Sequence, residues 1–227
     1  MALILLIDTS GAQGIVALSA NGVVLTAQTL PDSRRQAALL QPVIAEVVAA
    51  AGKEINDLEA ISVVSGPGSY TGLRVGLASA KGLCFALNIP LLMPDRLLLM
   101  ALSCNLEIQE QIVWVLLPAR TGEWFAGCYR GNAAIDNPRH WEEESLKDAI
   151  LESGAKNICL PIGVIETEFQ VLFNIPNISL INVDLDVAIF SKETERRYVN
   201  KVVENLSLST PLYLKSAFVT SPNAKNS

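Results

Sequence analysis

The chain has 227 residues, half of them hydrophobic and only 18% charged, with a formal net charge of −6. That length buries a sizeable core without staples, and the negative balance excludes a protein that grips nucleic acid unaided, since phosphate contacts need clustered Lys and Arg. A charge share below the usual quarter or so of residues points to an apolar surface patch that a stable partner or a second copy covers.

In chain order, Leu3 to Asp8 is an unbroken apolar run ending in an acid, as a buried central strand reads. It is short and lacks a basic lead, so it is no signal peptide, and no run approaches a membrane span. A cytoplasmic protein is expected. Two further strands join around Asn21-Gly22, a strong hairpin signal. From Arg34 to Ala51 the apolar residues Leu39, Leu40, Val43, Ile44, Val47 and Val48 recur at helical spacing, with Pro42 placing a kink near Ala38 and Gly52 stopping the run.

A fourth strand, Ala60 to Val64, leads into "SGPGSYTGLR" and then a helix from Thr71 to Leu87 whose sides are nearly all small or apolar. "IPLLM" reads as a fifth strand. In the second half, "QIVWVLLPA" and "EWFAGCYR" pair around Thr121-Gly122, Ser145 to Ser153 forms a helix, "NICLPIG" a buried strand, and Asp186 to about Asn205 a long helix. A strand, hairpin, helix, strand, helix, strand order met twice implies two duplicated α/β subdomains, mixed sheets flanked by helices. The expected division is 1–107, 108–215 and a disordered tail over 216–227.

Chemistry is constrained by counting. A single histidine, His140, excludes any paired-histidine metal site, and it sits in a polar stretch read as a solvated loop or strand edge. The four cysteines, Cys84, Cys104, Cys128 and Cys159, are too far apart for CxxC chemistry and read as reduced, buried small hydrophobes. No metal site and no catalytic residue is expected.

The glycine loop fits neither a P-loop nor a dinucleotide fingerprint nor a nucleophile elbow. Two readings remain: an anion bound at the helix start by the bare backbone, or a tight turn capped by Ser69 or Thr71 with Arg74 paired to an acid. Candidate phosphate-loop residues are Asp8, Thr9, Ser10, Gly66 and Gly68. Asp8 itself reads more readily as a cap on its own turn. Gly72, Gly76 and Ala80 recur every fourth residue, beside a stripe of Ser79, Gly82 and Ala86. A helix carrying several glycines forgoes about 1 kcal/mol at each, so close packing must compensate. One side meets the domain's own sheet, and the other meets the preceding helix or another chain.

"LLIDTS", "GPGSYTGLRVGLASAKGLCFALNIPL", "LLPARTGEWFAGCY" and "PLYLK" together resemble the TsaB (YeaZ-type) family. The resemblance implies the actin/hexokinase-like (ribonuclease H-like) fold and a non-catalytic scaffold in tRNA threonylcarbamoyladenosine modification. It further implies a TsaD-type transferase and a TsaE-type ATPase as partners, a homodimer when alone, and tRNA met only through the complex. No cofactor is implied, with weak ATP or ADP binding left open. The interface expected from it comprises Ser69, Tyr70, Thr71, Gly72, Arg74, Val75, Gly76, Ser79 and Leu83 with Leu39 and Val43. The chain departs from the family at Arg35 and Gln36, where a histidine-serine pair is common, at Met93 to Leu97, and at Pro118, where an acid is usual. The rival readings are a glycoprotease-like peptidase and a small ATPase of the same superfamily.

Overall fold

Five consecutive apolar side chains, Leu3 to Ile7, commit Leu3–Asp8, β1, to the centre of a sheet, and every one of its residues is buried. The computed structural model describes residues 2–30, 33–104, 111–131, 133–163 and 177–215, with 33 and 34 through their backbone alone. β2 (Gly14–Ala20) and β3 (Val23–Leu30) follow as antiparallel neighbours across the Asn21-Gly22 turn, where both residues have positive φ. α1 (Ser33–Ala50), β4 (Ala60–Val63), α2 (Tyr70–Leu87), β5 (Leu91–Leu92) and α3 (Arg96–Ser103) complete the first half. The second contains β6 (Ile112–Arg120), β7 (Glu123–Arg130), β8 (Ala133–Glu142), α4 (Glu143–Ser153), β9 (Asn157–Leu160), β10 (Ser179–Asn182) and α5 (Val187–Val199).

The two five-stranded sheets have the orders β3-β2-β1-β4-β5 and β10-β9-β6-β7-β8. Reversing the second gives β8-β7-β6-β9-β10, the same path with the same senses: two antiparallel pairs, then two parallel ones. The duplication expected from element order is therefore present strand for strand. The expected break at 107 and the tail from 216 both lie outside the described residues.

Four apolar clusters define the layers. α1 and α2 cover the outer face of the first sheet through Leu40, Ile44, Val47, Leu77 and Ala80. Phe190 of α5 and Leu99 of α3 fill its inner face. Leu97, Met100 and Ala101 of α3 meet the second sheet, whose far face is covered by Leu146 and Ile150 of α4. α3 is not among the elements expected from the sequence, although Pro94, Asp95 and Arg96 stand at its head. They form the helix start: Asp95 caps it by accepting from the Leu97 N–H at 2.9 Å.

Burying α3 between the sheets also corrects the cysteine assignment. Cys104, at its end, reaches Cys159 on β9 across 55 residues of sequence, and the two form a disulfide. Cys84 and Cys128 are free and buried, and burial pushes their thiols up to about 12 and about 11, so both stay protonated.

Candidate functional site

β4 runs parallel to β1, and α1 and α2 each return antiparallel to the strand before them, so both helices start at the carboxyl end of β1. There the glycine loop closes on the β1–β2 turn. The Ser69 N–H donates to the Ser10 carbonyl at 2.8 Å, and the Thr9 hydroxyl donates to the Gly72 carbonyl at 2.7 Å. Asp8 is 3% exposed and accepts from the Ser10 N–H at 2.8 Å and from the Ser10 hydroxyl, so it does cap its own turn. Ser69 caps α2, accepting from the Gly72 N–H at 3.2 Å.

The glycines are needed for this closure. A Cβ at Gly68 would fall within contact distance of the Ser10 carbonyl, one at Gly72 of the Thr9 carbonyl, and one at Gly76 of the Thr9 hydroxyl. Gly66 adopts a φ of +116° that side-chain-bearing residues avoid, followed by a cis peptide to Pro67. Of the expected interface residues, Gly72, Gly76 and Val43 are therefore corrected. They are buried against the chain's own turn and core, and the space they save admits β1–β2 and not another protein. Arg74 is exposed, and of the two readings of the loop the pairing with an acid is not met among the described residues: it donates to the Tyr70 hydroxyl at 3.1 Å while lying over that ring.

The outward side of the same layer is different. Val75, Ser79, Leu83 and Leu39 are half-buried, the leucines and valine packed at the edge of the core shared by the two helices. Beyond them, Thr71, Arg74, Ala78 and Gly82 on α2 and Ala38, Gln41, Pro42, Ala45 and Ala49 on α1 are exposed. Gly82 has nothing within 4 Å of where its Cβ would stand. Phe85 rises from this low surface with 81% of its area exposed, and Tyr70 stands at the other end with 46%. Phe85 was missed in the sequence. The signal was present, since it falls on the helical arc of Arg74, Ala78 and Gly82 and not on that of Leu77 and Ala80.

The halves are joined at the seam near the glycine loop. Asp95 accepts from the Tyr129 hydroxyl at 2.8 Å, and burial pushes its carboxyl up to about 6, opposed by that hydrogen bond. The segment 204–215 straps the halves together. Glu204 bridges to Leu91, Lys81 donates to the Ser207 and Ser209 carbonyls, the Leu212 N–H donates to Ser65, and Tyr213 lies 5.1 Å from the Tyr70 ring. Lys215 and His140 both bond Glu123, holding its carboxyl below the usual range. His140 lies on the edge strand β8 and is engaged there. Among the described residues no group of three or more His, Cys, Asp or Glu is arranged to hold a metal, and no helix is long and apolar enough to cross a membrane.

Two halves built on the same five-strand path, with α3 buried between the sheets, define a protein of the actin/hexokinase-like fold. A structure from Pseudomonas aeruginosa with similarity to peptidase YeaZ superposes with a TM-score of 0.79 at 23% identity, over 95% of this chain and all of that one. The chain is 26% identical over 212 residues to the tRNA threonylcarbamoyladenosine biosynthesis protein TsaB of Haemophilus influenzae, covering 93% of this chain and 82% of that protein. The Escherichia coli TsaB is 29% identical over 127 residues, 56% of this chain and about half, 54%, of that protein. Residues 30–140 match the TsaD family, tRNA N6-adenosine threonylcarbamoyltransferase. The chain is thus similar to TsaB/YeaZ-type proteins.

Proposed function

We propose that this chain acts in tRNA threonylcarbamoyladenosine biosynthesis as a non-catalytic partner subunit that docks a TsaD-type transferase on the outer face of α1 and α2. The observation that carries the reading is Phe85, 81% exposed on a helix whose neighbouring outward positions are Ala78, Gly82 and Ala86. A large ring beside a shallow hollow is costly to leave in water and well shaped for a facing helix.

The match of residues 30–140 to the TsaD family supports the choice of partner, because a transferase carrying the same two helices can meet this face in near-symmetric fashion. By the same symmetry the chain alone forms a homodimer. A TsaE-type ATPase joins the complex, and tRNA is reached through the transferase, consistent with a chain whose net charge is −6. The subunit needs no cofactor of its own for this role.

Co-purification with the TsaD-type transferase of the same organism tests the reading. Phe85→Ser and Gly82→Leu change exposed positions, so the fold is kept while capture of the transferase falls at least tenfold. Capture that is unchanged in both variants, or full tRNA modification by an extract lacking this chain, refutes it.

A further inference from the structure

We propose that the strap is a third element of the docking face, with Leu208 as a second apolar anchor that the same protein partner covers together with Phe85. The inference rests on the docking reading of α1 and α2 and extends it to a surface that neither helix supplies.

Four of the exposed large apolar side chains fall within ten residues of sequence, Val199, Val202, Val203 and Leu208. They begin at the end of α5, and Glu204 then pairs with Leu91, so the chain rounds the first sheet at its edge strand β5. From there it runs back along α2, with Ser207 and Ser209 at Lys81 and Tyr213 at Tyr70. Lys81 and Phe85 are four residues apart and share a side of that helix. Leu208, set between the two carbonyls that Lys81 holds, therefore stands one helical turn from Phe85.

The side chain of Leu208 is 77% exposed, yet its backbone is fixed. The Asn205 side chain accepts from the Ser207 and Leu208 N–H groups, both at 3.0 Å, and the Asn205 carbonyl accepts from the Ser209 N–H at 2.9 Å. The Lys81 ammonium donates to the Ser209 carbonyl at 3.1 Å and to the Ser207 carbonyl at 3.4 Å. Leu206 anchors the turn from below, packed against the core under α1 and α2.

A leucine held this firmly in water does nothing for the isolated chain. The turn is already ordered, so covering the side chain removes apolar area from water at little further entropic cost, which is the condition for an interface anchor. The patch also selects the kind of partner surface. Between Glu204 and Thr210 the only charged residue is Glu204, and Lys81 directs its ammonium at the backbone, so the turn suits an apolar ridge and not a charged one. Continuity with Phe85 assigns the turn to the partner that covers α2.

The test uses the full chain and the TsaD-type transferase of the same organism, with Kd measured by calorimetry and hydrogen exchange over 204–209 followed in the free and mixed states. Leu208→Ser and Phe85→Ser, both at exposed positions, should each weaken association by about tenfold, and exchange over 204–209 should slow in the complex. Ile135→Ser, at an exposed position on β8, should leave Kd unchanged. If Phe85→Ser weakens association while Leu208→Ser binds like the parent and 204–209 gains no protection, the strap is no part of the face and the docking reading stands without it. If neither variant weakens association, both fall. A loss in Leu208→Ser without one in Phe85→Ser also overturns the single shared face, and an equal loss in Ile135→Ser overturns the assignment of the effect to this patch.

Discussion

The sharpest test of the glycine loop compares one substitution at two places on the same helix. Gly76→Ala and Gly82→Ala both replace glycine inside α2, and each gains about 1 kcal/mol of helix propensity. At Gly82 nothing lies within 4 Å of the new methyl, so the gain stands and stability rises. At Gly76 the methyl meets the Thr9 hydroxyl, which is itself bonded to the Gly72 carbonyl. Either that hydrogen bond breaks, at about 1 kcal/mol, or the helix shifts from the turn, with an overpacking cost of about 1–3 kcal/mol. The propensity terms cancel in the comparison, leaving Gly76→Ala about 2 kcal/mol below Gly82→Ala. For a chain of this length that is a gap in Tm of roughly 4–8 °C. Thermal and urea unfolding followed by circular dichroism measure it. Equal stability of the two variants would refute the assignment of Gly76 to internal packing and return it to the outer face.

Other outcomes follow from the seam and the strap. Gly72→Ala should cost more than Gly76→Ala, because its methyl meets the Thr9 backbone carbonyl and not a rotatable hydroxyl; the same unfolding curves rank them. Asp95 has its carboxyl raised from 3.8 to about 6, so between these values the folded chain holds a proton that the unfolded chain has released. Stability from this group therefore rises as pH falls from about 7 to about 4, by about 2–3 kcal/mol in all. The difference in unfolding free energy between the parent chain and Asp95→Asn should show that slope, and a flat difference would contradict it. Tyr213→Ala removes the ring beside Tyr70 and should cost about 0.5–1.5 kcal/mol while speeding proteolysis within 204–215. Unchanged cleavage would mean that the strap is held without it.

Much of the architecture was legible in residue order because local rules and the final fold agree. Alternating apolar runs around Asn21-Gly22 and Thr121-Gly122 marked both hairpins, and the 3.6-residue period placed α1 and α2 within a residue or two of their observed ends. The elements missed are those whose identity is set by neighbours. β8 is absent from the expected strands because an edge strand with one side in water has a polar sequence that fits a solvated loop and a strand edge alike, and the segment Pro94 to Arg96 carries no helix signal because a helix cap and a loop use the same residues. Phe85 escaped notice for a similar reason. An apolar residue on a helix gives no sign in sequence of whether the surface it faces is covered.

By itself the sequence determined most of the segments that become strands and helices, that the halves are related, and that glycine is required between β4 and α2. Those properties depend on backbone conformation and on the spacing of apolar side chains, which neighbouring residues specify. Only the tertiary structure decided that Gly72 and Gly76 face Thr9, that Cys104 meets Cys159, and that the Arg96 guanidinium lies beside Gly11. Each depends on which layer ends up against which. That arrangement minimises the exposed apolar area of the whole chain, and no short window of residues contains it.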